Sequence, residues 1–149
     1  MTRIPNREYT GRMTTARDIM SEDLFTVLPT STIVEVAQLL REHRVGALPV
    51  VDDHQRLIGT VTDRDLVVFA IAAGAQPDEP IEKYGVRHEV FTVAPTASLE
   101  EVQELMGAKQ VRRLPVVDGE TLLGVISLAD VARAAEAPAV GTTTEQISL

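Results

Sequence analysis

Val45-Gly46-Ala47-Leu48-Pro49-Val50-Val51-Asp52, followed by Leu57-Ile58-Gly59-Thr60-Val61-Thr62-Asp63-Arg64-Asp65, returns later as Val111-Arg112-Arg113-Leu114-Pro115-Val116-Val117-Asp118 and Leu122-Leu123-Gly124-Val125-Ile126-Ser127-Leu128-Ala129-Asp130. Each copy reads as two apolar, β-branched runs joined by a polar turn, the pattern of a hairpin. Each then passes into a helix at a Gly-x-x-Thr/Ser-x-x-Asp junction. Upstream, Phe25-Thr26-Val27-Leu28-Pro29-Thr30 returns as Phe91-Thr92-Val93-Ala94-Pro95-Thr96. The offset is 66 residues before the turn after Asp52 and 65 beyond it, because a surface turn loses a residue cheaply. A duplication this long predicts two similar units, and any pocket is expected in two versions.

Working outward from the hairpins, Thr32 and Glu35 form a Thr-x-x-Glu capping box ahead of an apolar stripe of Ile33, Val36, Ala37 and Leu40. Ser98 and Glu101 repeat the device ahead of Leu99, Val102 and Met106. Phe25 to Val27 is read as a short strand closed by Pro29. Strands are expected at Ala47–Val51, Arg56–Thr62, Leu114–Val117 and Thr121–Ser127. A helix is expected from Asp63 to Ala73, with Leu66, Phe69, Ala70 and Ala73 on one face, and another runs to Glu136. Each repeat is thus β-α-β-β-α. Boundaries fall at 1–13 (a flexible lead, with Met13 as an alternative start), 14–73, a Gly- and Pro-containing linker at 74–80, 81–136, and a loose tail at 137–149.

The chain has 149 residues, enough for one co-folded pair of repeats that would each be marginal alone. With no cysteine, disulfides, thiolate nucleophiles and cysteine-based zinc sites are excluded. No apolar run reaches the ~20 residues of a membrane span, and residues 1–12 lack the apolar core of a signal peptide, so a cytoplasmic location is expected. The net charge of −8 argues against nucleic-acid binding, which relies on Lys and Arg displacing phosphate counterions. His43, His54 and His88 have no i, i+4 partner, which points away from a metal site. Asp52, Asp53 and Asp63 read as turn and cap residues. No nucleophile motif, P-loop or dinucleotide fingerprint occurs, so the chain reads as a binder and not as an enzyme.

The Gly-x-x-Thr/Ser-x-x-Asp junctions admit two readings. Thr62 with Asp65, and Ser127 with Asp130, can simply cap their helices. The same geometry can also serve a ligand, because a helix start attracts phosphate, a hydroxyl adds a hydrogen bond, and a carboxylate one turn on can accept from two vicinal ribose hydroxyls. Gly59 and Gly124 would then leave room for a ligand to come close.

The Val-x-x-Leu-Pro-Val-Val-Asp and Leu-x-Gly-x-x-Thr/Ser-x-x-Asp order, present twice, resembles the CBS domain as a tandem pair, or Bateman module, over residues 14–136. With its Thr14-Thr15-Ala16-Arg17-Asp18-Ile19-Met20 lead, the chain looks like the stand-alone two-CBS proteins of high-GC bacteria. The resemblance implies an α/β (α+β) fold of two units packed through their sheets with pseudo-twofold symmetry. It also implies two clefts that take AMP, ADP, ATP, NAD or S-adenosylmethionine as regulatory ligands, with no required cofactor. Carried onto this sequence, Asp65 and Asp130 would hold ribose, and Thr62 and Ser127 would contact phosphate. Gly46, Ala47, Arg64, Arg112 and Arg113 would line the clefts, and Thr26 and Thr92 would lie near the base. The small, neutral Gly46-Ala47 pair against Arg112-Arg113 predicts unequal clefts. Val86 stands where the first repeat has Met20, a departure from the usual pattern. The partners implied are a second copy of the chain, as a homodimer, and an unidentified protein that reads ligand occupancy. The rival reading is a dimeric interaction module with vestigial, empty clefts.

Overall fold

The computed structural model describes residues 14–136. The expectations for the lead at 1–13, the alternative start at Met13 and the tail at 137–149 lie outside the described residues.

Both long helices begin where the capping boxes place them. Helix α1 (Ala16–Ile19) is one turn, tied down by the Thr15 N–H and hydroxyl, which both donate to Asp18. Helix α2 (Ile33–His43) opens on Thr32, whose Oγ1 accepts the Glu35 N–H at 3.1 Å while Glu35 accepts the Thr32 N–H at 2.8 Å. Ile33, Val36 and Leu40 point inward, whereas Ala37 is exposed and Leu39 takes its place against the core.

Strands β1 (Ala47–Val51) and β2 (Leu57–Thr62) pair antiparallel, with Ala47 opposite Thr62 and Val50 opposite Gly59, and a bulge between Val50 and Val51. The connecting turn folds over Asp52, which accepts N–H groups from His54 and Arg56 at 2.8 and 2.9 Å. Asp52 is therefore a turn residue, as its position implies.

The helix predicted over 63–73 is present but uneven: α3 (Asp63–Asp65), then a π turn at Leu66–Ala70 and a 3-10 turn at Ile71–Ala73, closed by Gly74 at φ +82°. The wide π turn keeps Leu66 and Ala70 buried but swings Phe69 to 50% exposure, and Ala73 is exposed too. The expected four-residue stripe is thus corrected to two. The strand expected at Phe25–Val27 shrinks to a single parallel bridge between Val27 and Val50. Beyond it the Leu28 N–H turns to Ser31 Oγ, and Pro29 has no N–H to offer.

In the second repeat, α4 (Leu99–Lys109) opens on the Ser98–Glu101 box, β3 (Arg113–Asp118) pairs with β4 (Thr121–Ser127), and α5 (Leu128–Glu136) follows directly. The shorter turn between these strands uses Gly119 at φ +64°, a conformation that suits glycine.

Two compact units result, and neither is contiguous in sequence. Among the described residues, one gathers Asp23–Thr92 with Val117–Leu122; the other gathers Val93–Val116 with residues 14–22 and 123–136. We refer to them as the first-repeat and second-repeat units. The first-repeat core holds Ile33, Val36, Leu48, Val50, Val61 and Leu66, and Ile81 from after the linker joins it. The second-repeat core holds Val93, Val102, Met106, Leu114, Val116, Ile126 and Val131, and Ala16 from before the first repeat joins it. Each repeat's leading segment therefore packs in the unit of the other repeat.

Candidate functional site

In the first-repeat unit the chain leaves β2 at Thr62 in extended conformation and turns at once into α3. Thr62 Oγ1 accepts the Asp65 N–H at 3.0 Å, and Asp65 Oδ2 accepts the Thr62 N–H at 3.1 Å. Gly46 stands alongside: its carbonyl accepts the Asp63 N–H at 2.9 Å, and Ala47 is registered opposite Thr62. The exposed Arg64 follows. Gly46, Ala47, Thr62, Arg64 and Asp65 therefore come together at one junction.

The second-repeat unit repeats this arrangement. Ser127 Oγ accepts the Asp130 N–H at 3.1 Å, Asp130 Oδ2 accepts the Ser127 N–H at 2.8 Å, and the Arg112 carbonyl accepts the Leu128 N–H at 2.8 Å. Arg112, Arg113, Ser127 and Asp130 form this junction, and both arginines are exposed. Thr26 and Thr92 lie apart from these hydrogen bonds, each half-buried and one residue before the bridging Val27 and Val93. Both belong to the first-repeat unit, so Thr92 does not share a unit with Ser127 and Asp130.

Capping is thus realised at both junctions. The glycines, however, answer to a different neighbour from the ligand expected at them. A Cβ on Gly59 would meet the Arg87 carbonyl oxygen at 2.2 Å, and one on Gly124 would meet Met20 Sδ at 2.6 Å and the Ser21 carbonyl oxygen at 2.8 Å. At each glycine a leading segment crosses the second hairpin strand. Thr60 and Arg87 exchange backbone hydrogen bonds of 2.9 and 3.0 Å, and Ser21 and Val125 exchange bonds of 2.9 and 3.1 Å. The close approach at Gly59 and Gly124 is therefore made by the chain itself.

This crossing brings in a residue that reading the motif alone misses. Arg87 Nε and Nη2 each lie 3.0 Å from Asp65 Oδ1, and the Asp65 side chain is only 1% exposed. Asp130 is 16% exposed and pairs with Arg133, whose side chain is 72% exposed. The spacing of Asp130 and Arg133 along one helix was a visible signal. For Arg87 the only signal was its alignment with Ser21 in the duplication.

Elsewhere in the second-repeat unit, a groove of about 590 Å³ is lined by Val93, Ala94, Thr96, Ala97, Glu101, Glu104, Leu105 and Ala108. It includes none of the junction residues, and its two glutamates oppose an anionic ligand. Among the described residues no three His, Cys, Asp or Glu side chains gather to hold a metal ion. His43 stacks on Phe25 with ring centroids 3.5 Å apart, and His88 Nδ1 lies 3.3 Å from the Ile58 carbonyl oxygen. Among the described residues no helix is long and apolar enough to cross a membrane.

The chain matches the CBS domain family at residues 16–71 and again at 81–137. It is 41% identical over 121 residues to Hypoxic response protein 1 of Mycobacterium tuberculosis, covering 81% of this chain and 85% of that protein. A crystal structure of that hypoxic response protein, described with two coordinated zinc ions, matches with a TM-score of 0.72 over 82% of this chain and 99% of the other. The structure of CBSX2 in complex with AMP matches at 30% identity and a TM-score of 0.70, covering 81% of this chain and 95% of that one. The CBS domain pair of protein MJ0100, in complex with 5′-methylthioadenosine and S-adenosyl-L-methionine, matches at 28% identity and a TM-score of 0.68, covering 83% of this chain and 97% of that one.

Proposed function

The chain belongs to the CBS domain family as a tandem pair, and from that premise we propose that it is a non-catalytic sensor of an adenosyl ligand. The observation that carries this reading is the doubled junction, in which a hydroxyl and a carboxylate stand one turn apart at a helix start. Thr62 and Ser127 would meet phosphate, Asp65 and Asp130 ribose hydroxyls, and Gly46, Ala47, Arg64, Arg112 and Arg113 the remainder of the ligand. Thr26 and Thr92 would lie toward the base. Two structural neighbours are complexes with AMP or with S-adenosyl-L-methionine, which supports the ligand class. Occupancy acts by favouring one state of the protein over another, and a protein partner in the cytoplasm reads that state. A homodimer fits the helical run after Asp65, where Val67, Val68, Phe69 and Ile71 are all exposed.

One observation favours the rival reading of an interaction module with empty clefts: both aspartates already serve as caps. Thermal shift with AMP, ATP, NAD and S-adenosylmethionine separates the two. A ligand at ~100 times its Kd adds ~2.7 kcal/mol, worth a few degrees in Tm. A melting point that no ligand of the panel moves overturns the sensor reading.

A further inference from the structure

We propose that Arg87 is an internal counter-ion that closes the Asp65 carboxylate and makes the first-repeat junction selective for phosphorylated ligands; this rests on the ligand reading above. Among the described residues, Asp65 is the only buried polar or charged one. A buried carboxylate is tolerated only when paired. Here Arg87 Nε donates to Oδ1 at 3.0 Å and lies 3.3 Å from Oδ2, Nη2 sits 3.0 Å from Oδ1, and the Thr62 N–H takes Oδ2. Little acceptor capacity is left for a ribose diol while that pair stands.

The pair is nonetheless releasable. Arg87 is 53% exposed, and its backbone is pinned to Thr60 independently of its side chain, so the guanidinium can swing away without moving the strand. The other junction is built differently: Ser21 occupies the matching place on the bridge to Val125, and Asp130 is met by Arg133 from its own helix. A diol that takes Asp65 must displace a cation. A phosphate on the same ligand gives the displaced guanidinium a bidentate acceptor, whereas a neutral nucleoside leaves it unpaired. Because only the released fraction binds, the closed pair weakens the apparent affinity for unphosphorylated ligands in proportion.

The test is calorimetric titration of the full chain carrying Asp130→Asn, with AMP and with adenosine, in the presence of Arg87 and with Arg87→Met. With Arg87 in place, AMP binds about tenfold or more tighter than adenosine, and Arg87→Met brings the two within about twofold, chiefly by tightening adenosine. A ratio that Arg87→Met leaves unchanged overturns the proposal, and so does a failure of both forms to bind either ligand. If Arg87→Met melts too low to titrate, Arg87→Lys keeps the cation but loses the fork; a reduced ratio then supports the proposal and an unchanged one overturns it. The sensor reading fails on a different result, no binding by the unsubstituted chain. Adenosine capture by the Arg87→Met form alone would still support the closed pair.

Discussion

The carbonyl oxygen of Arg87 occupies the space that a side chain on Gly59 would need, 2.2 Å from where a Cβ would stand. The glycine of the junction motif thus serves a chain crossing, and that crossing delivers Arg87 to Asp65. At Gly124 the obstruction is shared between the Ser21 carbonyl and the flexible Met20 side chain. Overpacking of this kind typically costs about 1–3 kcal/mol. Gly59→Ala, facing backbone at the closer distance, should lie toward the upper end and Gly124→Ala toward the lower. Denaturant midpoints of the two variants check the order; equal losses would mean that the Met20 side chain yields no more readily than the Arg87 backbone.

Four of the capping boxes separate structure from ligand contact. Thr32→Ala and Ser98→Ala remove caps that lie outside the junctions, and each should cost about 1 kcal/mol with no change in ligand affinity. Thr62→Ala and Ser127→Ala should lose a similar amount of stability and also weaken ligand binding. Melting curves and titrations on the four variants give the comparison. If all four behave alike in the titration, the junction hydroxyls are caps and nothing more.

Ile81 belongs to the second repeat by sequence but is buried, at 1% exposure, in the first-repeat core. Ile81→Ala should cost about 2–5 kcal/mol, as large-to-small changes in packed cores do. In native-state hydrogen exchange, the loss should appear at the amides of β1 and β2. Loosening confined to β3 and β4 would contradict this placement of the leading segment.

Glu79 ties the linker together by accepting the Gln76 N–H at 2.6 Å, Lys83 Nζ at 2.6 Å and the Tyr84 hydroxyl at 2.9 Å. The Gln76 N–H, followed by Lys83 and Tyr84, holds its carboxyl down at about 2, from an ordinary value of 4.5. Asp52 is likewise held at about 2, from 3.8, chiefly by the Arg56 N–H. A carboxyl depressed in the folded state contributes stability above its unfolded pKa and loses that contribution as pH falls toward the folded value. Melting temperature should therefore fall as pH drops from 4.5 toward 2, and Glu79→Gln should flatten part of that slope while leaving the slope above pH 5 unchanged. An identical pH profile for the variant would show that the linker bonds do not matter to stability.

Much of this architecture was legible because it is written in local chemistry. Thr32 with Glu35 and Ser98 with Glu101 start their helices where the boxes sit, and the turn at Asp52 closes a hairpin as its residues dictate. What was not legible depends on partners distant in sequence. The π turn at Leu66–Ala70, which turns Phe69 outward, leaves no mark in an apolar stripe. The crossing at Gly59 needs Arg87, 28 positions away, to be known as its neighbour. Glycine spacing alone fits a close ligand and a close backbone equally well, and only the fold distinguishes them.

The most direct test of the central claim is equilibrium titration of the full chain with AMP, ATP and S-adenosylmethionine, beside the Asp65→Ala/Asp130→Ala double variant. Saturable binding of at least one ligand by the unsubstituted chain, weakened about tenfold or more in the double variant, a loss of ~1.4 kcal/mol or more, is the predicted result. Absence of binding to the unsubstituted chain, or equal affinity in a double variant that merely melts lower, would contradict it.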